Sequence, residues 1–311
     1  MLISHGFSSR IGRPFALTIG NFDGVHIGHQ KLLIDLVNTA HASSLASCVM
    51  TFEPHPREFF NPDSAPSRLT GLRDKLSVIS ALGVDEVIVL PFNHVLAGIA
   101  AKDFVERLLA LGMKSLLVGD DFRFGARREG DYPLLESLAG SMGFTLARMS
   151  SVEISGTRIS STTLRLALAK GEFSQASQLL GRPYGITGRV VEGDHIGRSI
   201  GFPTANIQMK INRPPLGGIF AVQLYGISGY PLPGAASLGV RPTVTDTKVP
   251  VLEVHLIDFD KDIYGSIVRV EFLHKLRDEI KYLNLDLLTE QICRDVEDVR
   301  EYFARLDEPV T

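Results

Sequence analysis

The chain of 311 residues contains no tryptophan and only two cysteines. Cys48 and Cys293 lie far apart and belong to no metal-ligand spacing, which excludes a disulfide framework and a cysteine-based zinc centre. Both read as buried or incidental thiols of a reducing, cytoplasmic compartment. Long apolar runs are missing as well. No stretch approaches the roughly 18 to 20 apolar residues that a membrane span needs. The opening MLISHGFSSRIGRPF lacks the charged-then-apolar profile of a secretory signal. Positive charge is not in excess: 32 Lys and Arg against 35 Asp and Glu give a net charge of −3. That balance argues against nucleic acid as a partner, since such proteins show a basic footprint. Internal repeats and low-complexity segments are absent. The expected partners are small-molecule substrates, with no nucleic acid and no membrane; a homo-oligomer stays open.

What is present describes an ordinary globular protein, 44% hydrophobic and 22% charged, and its length favours two domains. Up to about residue 182, apolar runs (FALTIGNF, ASCVMTF, VDEVIVLPF, KSLLVGDDF, FTLARMS) alternate with helical patterns. HQKLLIDLVNTAHA carries Leu32, Leu33, Leu36, Val37 and Ala40 at helical spacing, and GLRDKLSVISALG carries Leu72, Leu76, Ile79 and Leu82. This alternation predicts a Rossmann-like α/β domain, a parallel sheet with helices on both faces. Residues 21–29, 52–56 and 119–125 then fall at carboxyl ends of strands, where such sheets bind ligands. Beyond residue 182 come six strand-like runs with Gly and Pro turns, from YGITGRVVEG to SIVRVEFLHKL. They predict a closed six-stranded antiparallel barrel. An amphipathic helix follows over 285–306, with Leu288, Ile292, Val296, Val299 and Phe303 on one face. The expected division is 1–182 and 183–311, with the junction near LLGRPY.

The stretch IGNFDGVHIGHQKLL sets His26 and His29 where a helix begins. A helix N-terminus presents unpaired N–H groups and a partial positive charge, a natural seat for phosphate. Two imidazoles there add donors to the same anion, and Gly28 permits close backbone approach. A solvated turn with incidental histidines is the plainer alternative. In ISGTRISSTTLRLAL, Ser160, Ser161 and Thr162 stand where hydroxyls cap a helix, and Arg165 follows one turn later. Alone this is an ordinary cap; beside the histidines it reads as a second phosphate clamp.

The second half has glycines at 193, 197 and 201 around Arg198, in GRVVEGDHIGRSIGFPTANI. Neither a P-loop nor a G-x-G-x-x-G fingerprint occurs, so a different phosphate cradle is needed. Thr204 and Asn206, two residues apart on an extended segment, offer neutral oxygens of the kind Mg²⁺ accepts alongside ATP phosphates. A polar solvent-facing pair is the alternative. Glu253 and His255 share a face of LEVHLIDF, where Glu253 has the chemistry of a general base and an ordinary surface pair is the plainer reading. Arg277 and Glu279 follow the last strand, placed to form a substrate wall.

GNFDGVHIGHQ, TFEPHP, GDDFRFGARREGD and ISSTTLR together resemble the adenylyltransferase module of bacterial bifunctional riboflavin kinase/FAD synthetases. GFPTAN, GGIFAV, SLGVRPT, LEVHLIDFDKDIYG and FLHKLRDE resemble the riboflavin kinase module of the same family, and together the matches run from about Pro14 to Phe303. The resemblance implies two ATP-dependent steps, riboflavin to FMN in the second half and FMN to FAD in the first. In the first half it assigns Gly20, Asn21, Asp23, His26, Gly28 and His29, with Ser160, Ser161, Thr162 and Arg165, to ATP. The histidines would stabilise charge rather than act as nucleophiles. Asp120, Phe122, Arg123 and Gly125 fall near the flavin. In the second half Gly193, Gly197, Arg198, Thr204 and Asn206 fall to ATP, the last two also to Mg²⁺. Gly201, Arg277 and Glu279 fall to the flavin, and Glu253 is the base toward the riboflavin 5′-hydroxyl. Thr163, Phe220, Ser237 and Tyr282 depart from common family residues. A single-step enzyme, a flavin-binding regulator and an RNA-binding protein are the competing readings; an intact set of five reactive positions speaks against the regulator.

Overall fold

The computed structural model describes residues 1–7, 12–149, 153–154, 157–193, 196–242 and 248–307. Ser155 and Gly156 of ISGTR, Asp194 and His195 of the glycine loop, and Thr243 of SLGVRPT lie outside the described residues. The chain forms two compact units: Met1–Pro66 with Lys75–Ser160, and Ser67–Asp74 with Ser161–Thr311.

The first unit contains a six-stranded parallel sheet. Its strands are β1 (Leu2–His5), β2 (Phe15–Ile19), β3 (Ala46–Glu53), β4 (Glu86–Pro91), β5 (Met113–Gly119) and β6 (Thr145–Met149). They lie in the order β1-β4-β3-β2-β5-β6. Helices α1 (Ile27–Ala42), α2 (Pro56–Phe60), α3 (Leu72–Ala81), α4 (His94–Ala97), α5 (Ala101–Ala110) and α6 (Tyr132–Met142) connect them. A two-residue pair, β7 (Glu153–Ile154) with β8 (Thr157–Arg158), follows β6. All five residues of β2 are buried, as a strand covered on both faces requires. Phe15, Leu17, Cys48, Met50, Ile88 and Leu116 form the centre of one apolar cluster, against which α5 lays Phe104, Val105 and Leu108. From β2 the chain builds outward through β3 and β4, then returns to add β5 and β6 on the other side. The order therefore reverses between β2 and β5, and the crevice at that reversal is where open α/β sheets bind ligands.

The amino ends of the inner strands are tied by one carboxylate. Asp85 accepts from the Ser47 N–H at 2.9 Å and its hydroxyl at 2.8 Å, and pairs with His41 at 2.9 Å and Arg13 at 3.0 Å. Burial opposes its ionisation, but the Ser47 bonds, His41 and Arg13 outweigh that and hold the carboxyl far below the usual carboxylate range. Asp85→Ala is expected to cost about 2 kcal/mol in denaturant unfolding at neutral pH, the scale of hydrogen bonds to a charged group. Because the folded value is depressed, this contribution is complete above about pH 4 and fades as pH falls below it. The variant's stability should lack that acid slope.

The second unit is built on a closed antiparallel barrel. Helices α7 (Ser161–Lys170) and α8 (Phe173–Leu180) precede β9 (Gly185–Val191), a short α9 (Ile196–Ser199) and β10 (Ala205–Gln208). Then come β11 (Gly218–Tyr225), β12 (Leu232–Pro242), β13 (Lys248–Leu256), β14 (Ile267–Arg277) and α10 (Leu285–Asp307). The closed order is β10-β13-β12-β11-β14-β9. Phe220 and Phe272 meet edge-to-face at 5.2 Å inside it, and Phe173 of α8 adds a further ring 5.9 Å from Phe220. Phe220 is fully buried, so the family's more common tyrosine would need a hydroxyl partner in this packing. Val296 and Val299 of α10 pack with Ala221 and Ile257, with Ile292 and Phe303 beside them, on the face expected from the sequence. Within the same unit, Asp74 accepts from the Thr187 N–H at 3.2 Å and pairs with Arg269 at 3.6 Å.

Candidate active sites

In the first unit, the turn leaving β2 reaches α1 through three positive-φ residues, Phe22, Gly24 and Val25. His26 is the N-cap of α1, and its Nδ1 accepts the His29 N–H at 3.3 Å. That bond assigns a neutral His26 its proton on Nε2. The two rings stack at 3.7 Å with 13° between planes. Desolvation, then His26, then Lys75 push His29 well below the ordinary imidazole value, so it is neutral at physiological pH. Stacked rings this close disfavour two positive charges. The first turn of α1 holds no acidic residue, so the positive end of its dipole is left for another anion. His29 Nδ1 and Asn21 Oδ1 are buried and have no hydrogen-bond partner among the described residues. Asp23 is buried beside this turn.

The loop after β5 lies on the other side of the strand-order reversal. Asp120 pairs with Arg148 at 3.0 Å, and Arg123 with Asp131 at 2.9 Å. Phe122 and Phe124 stack at 5.6 Å. Gly125 takes φ +73°, and a Cβ there would lie 2.7 Å from the Ala101 Cα, so this position admits only glycine. Gly20 and Gly28 flank the histidine turn as the motif suggests, Gly28 being half-buried in α1. Ser160 ends the first unit, whereas Ser161, Thr162 and Arg165 open α7 in the second. There the Arg165 Nε donates to the Ser67 carbonyl at 2.5 Å. The second clamp expected from the sequence is thus split: Ser160 shares the histidines' compact unit, and Ser161, Thr162 and Arg165 do not.

One residue absent from the sequence reading stands out. Lys75 is 1% exposed, and its Nζ donates to the Asn21 carbonyl at 2.7 Å and lies 3.4 Å from Thr51 Oγ1. Its spacing held the clue: Lys75 falls on the Leu72, Leu76, Ile79 stripe, a cation where the helix pattern demands an apolar residue.

In the barrel, strand register assembles the second site. Glu253 of β13 pairs with Asn206 of β10 on one side and with Ser237 of β12 on the other. Residues paired across neighbouring strands share a face, so these three side chains form one row. Ser237 Oγ donates to Glu279 Oε1 at 3.3 Å, extending the row. A Cβ on Gly193 would come within 2.1 Å of Asn206 Nδ2, and one on Gly197 within 3.3 Å of Thr204 Oγ1. Both glycines therefore leave room beside the Asn206 amide and the Thr204 hydroxyl. His255 Nδ1 is 2.9 Å from the Pro203 carbonyl oxygen, and its ring meets Phe202 at 5.4 Å, fixing the turn that carries Thr204. A cavity of about 350 Å³ is lined by Leu216, Gly217, Gly218, Leu238, Gly239 and Glu279, among others.

Arg198 is exposed and Gly201 adopts φ +89° in the loop before Thr204. Arg277 is held by the C-terminal helix: its Nε and one terminal nitrogen grip Asp295 of α10 at 2.8 and 2.6 Å. The other terminal nitrogen donates to the Asp278 carbonyl at 3.0 Å. Arg277 therefore ties α10 to the end of β14. Among the described residues no cluster of three or more His, Cys, Asp or Glu side chains is arranged to hold a metal, and no helix is long and apolar enough to cross a membrane.

Comparison with known proteins gives two successive family matches. The FAD synthetase family model matches residues 9–163, and the riboflavin kinase model matches 180–303. The bifunctional riboflavin kinase/FMN adenylyltransferase of Escherichia coli K12 is 45% identical over 302 residues, covering 96% of each chain. The enzyme of that name from Pseudomonas fluorescens is 46% identical over 294 residues, covering 94% of each. A crystal structure from Streptococcus pneumoniae, described as a macrolide-efflux protein, superposes with a TM-score of 0.78 at 29% identity, covering 96% of this chain and 99% of that one. With both family models matched in order and relatives aligned end to end, this chain belongs to the bifunctional riboflavin kinase/FMN adenylyltransferase family.

Proposed function

We propose that the chain phosphorylates riboflavin in its barrel and adenylylates the resulting FMN at the sheet, with function divided at 182/183. The observation that supports this most is that each unit gathers its own reactive group: the row Asn206–Glu253–Ser237, and the stacked histidines at the strand-order reversal. In the barrel, Glu253 accepts the proton of the riboflavin 5′-hydroxyl as that oxygen attacks the γ-phosphorus of ATP and ADP departs. Thr204 and Asn206 would hold Mg²⁺; their neutral oxygens suit it, and the glycine-bounded space beside them fits a phosphate-borne ion. When bound, the ion neutralises charge on the transferred phosphoryl group. Gly193, Gly197 and Arg198 line the approach of the ATP phosphates, and Gly201, Glu279 and Arg277 that of the flavin, Arg277 acting through its grip on α10.

At the sheet, an FMN phosphate oxygen attacks the α-phosphorus of ATP and pyrophosphate leaves. The N-terminus of α1, with the Nε2 side of His26 and His29, stabilises the growing negative charge as a preorganised donor set. The orphaned atoms His29 Nδ1 and Asn21 Oδ1 fit a site whose remaining partners come with the ligand. Gly20, Asp23 and Gly28 shape the turn, and Ser160, in the same unit, offers a hydroxyl to the phosphates. Asp120, Phe122, Arg123 and Gly125 bound the flavin side. The work is done in the cytoplasm on small molecules alone.

Chromatography of flavins during incubation with riboflavin, ATP and Mg²⁺ tests the proposal: FMN should appear first and FAD after it. Absence of either product overturns the corresponding half. Gly193→Ala offers a finer check. Its new Cβ must displace the Asn206 amide, so FMN formation should fall at least about tenfold. FAD formation from supplied FMN should be unchanged.

A further inference from the structure

Charge buried in the sheet unit has a use beyond packing. Lys75 carries an ammonium into a site that is 99% shielded from solvent, where a methionine or leucine would satisfy the apolar stripe of α3 at no desolvation cost. Its Nζ meets the carbonyl of Asn21, the second residue after β2, at 2.7 Å. Thr51 Oγ1, at the end of the neighbouring strand, donates to the same oxygen at 3.3 Å. Two donors therefore converge on one backbone atom. That atom opens the turn in which Phe22 and Val25, both non-glycine, hold positive φ. Such a turn persists only when its surroundings over-determine it. At its far end stand His26 and His29, stacked and fixed by the cap bond.

We propose that Lys75 is a positioning residue for adenylyl transfer: its ammonium pins the Asn21 carbonyl and thereby the turn that aims His26 and His29 at the phosphates. The inference rests on the assignment of the histidines to ATP. Lys75 touches no reacting atom in this account. Its effect passes through backbone geometry, so it appears in the rate of the chemical step rather than in the capture of substrate.

Steady-state constants for FAD formation from FMN should be measured on the full chain for wild type, Lys75→Met and Lys75→Arg. Riboflavin phosphorylation and thermal unfolding are read on the same samples. In Lys75→Met, kcat for FAD formation should fall about 30-fold, with KM for ATP and FMN within about threefold of wild type and FMN formation intact. Lys75→Arg, which keeps charged donors, should recover at least about tenfold of that loss. Lys75→Gln, expected near a tenfold loss, takes the place of Lys75→Met if the latter does not fold. The proposal is overturned by a kcat within threefold of wild type in the neutral variant, by a loss confined to KM, or by an arginine variant no better than the neutral one. His29→Ala run alongside separates the two levels: if that variant keeps its FAD rate, the histidine assignment has failed, and not the role of Lys75 alone.

Discussion

His29→Ala is expected to lower the rate of FMN adenylylation about 10²- to 10³-fold while riboflavin phosphorylation proceeds at the wild-type rate. The size follows from removing one preorganised donor in a desolvated site, where such a donor acts on charge that grows only in the transition state. The geometry makes the loss hard to repair. His29 is held on one face by the His26 ring at 3.7 Å and edge-to-face by Phe22 at 5.3 Å, so its ring is fixed in place before substrate arrives. Stability should change little, because His29 Nδ1 makes no bond among the described residues and alanine favours the first turn of α1. His26→Ala is expected to be worse on both counts, since it also removes the cap that accepts the His29 N–H. Flavin chromatography with FMN as the starting substrate reads the first effect directly.

Glu253→Gln should reduce riboflavin phosphorylation about 10²- to 10⁴-fold, the contribution of a positioned general base. The amide keeps the shape and the strand pairing of β13 with β10 and β12 but accepts no proton, so KM for riboflavin should move far less than kcat. FAD formation from supplied FMN should be unaffected. A loss seen only in KM would make Glu253 a binding residue and leave the base unassigned.

Much of the fold was legible because burial leaves a periodic trace. The five buried residues of β2, and the row Leu32, Leu33, Leu36 and Ala40 of α1, are patterns that a parallel sheet with covering helices imposes. The six barrel runs and the apolar face of α10 were equally plain. Strand β1 was not, because four residues at the sheet edge, with Leu2 70% exposed, carry no alternation. Helix α8 was also missed: its face Phe173, Ala176, Leu179 and Leu180 is short and abuts another helix without a strong break.

The candidate sites were legible as motifs but not as geometry. GFPTAN names Thr204 and Asn206 and LEVHLIDF names Glu253, yet only the antiparallel register sets Asn206, Glu253 and Ser237 side by side. Register between strands 47 positions apart is a non-local outcome that no local pattern encodes. Arg277 shows the same limit: its motif suggests a ligand contact, and only the fold shows that a carboxylate 18 residues away on α10 engages two of its nitrogens. Lys75 was hidden by the habit of reading lysine as a surface residue, although its place in the apolar stripe of α3 marked it.

Two separate sites in one chain should carry the two steps, and mixing single-site variants shows whether they do. His29→Ala and Glu253→Gln are assayed apart and then together, with riboflavin, ATP and Mg²⁺, and the flavins are separated over time. His29→Ala should accumulate FMN in solution and stop there, Glu253→Gln should leave riboflavin unconverted, and the mixture should make FAD. Loss of FMN formation in His29→Ala, or FMN formation at the wild-type rate in Glu253→Gln, would contradict it.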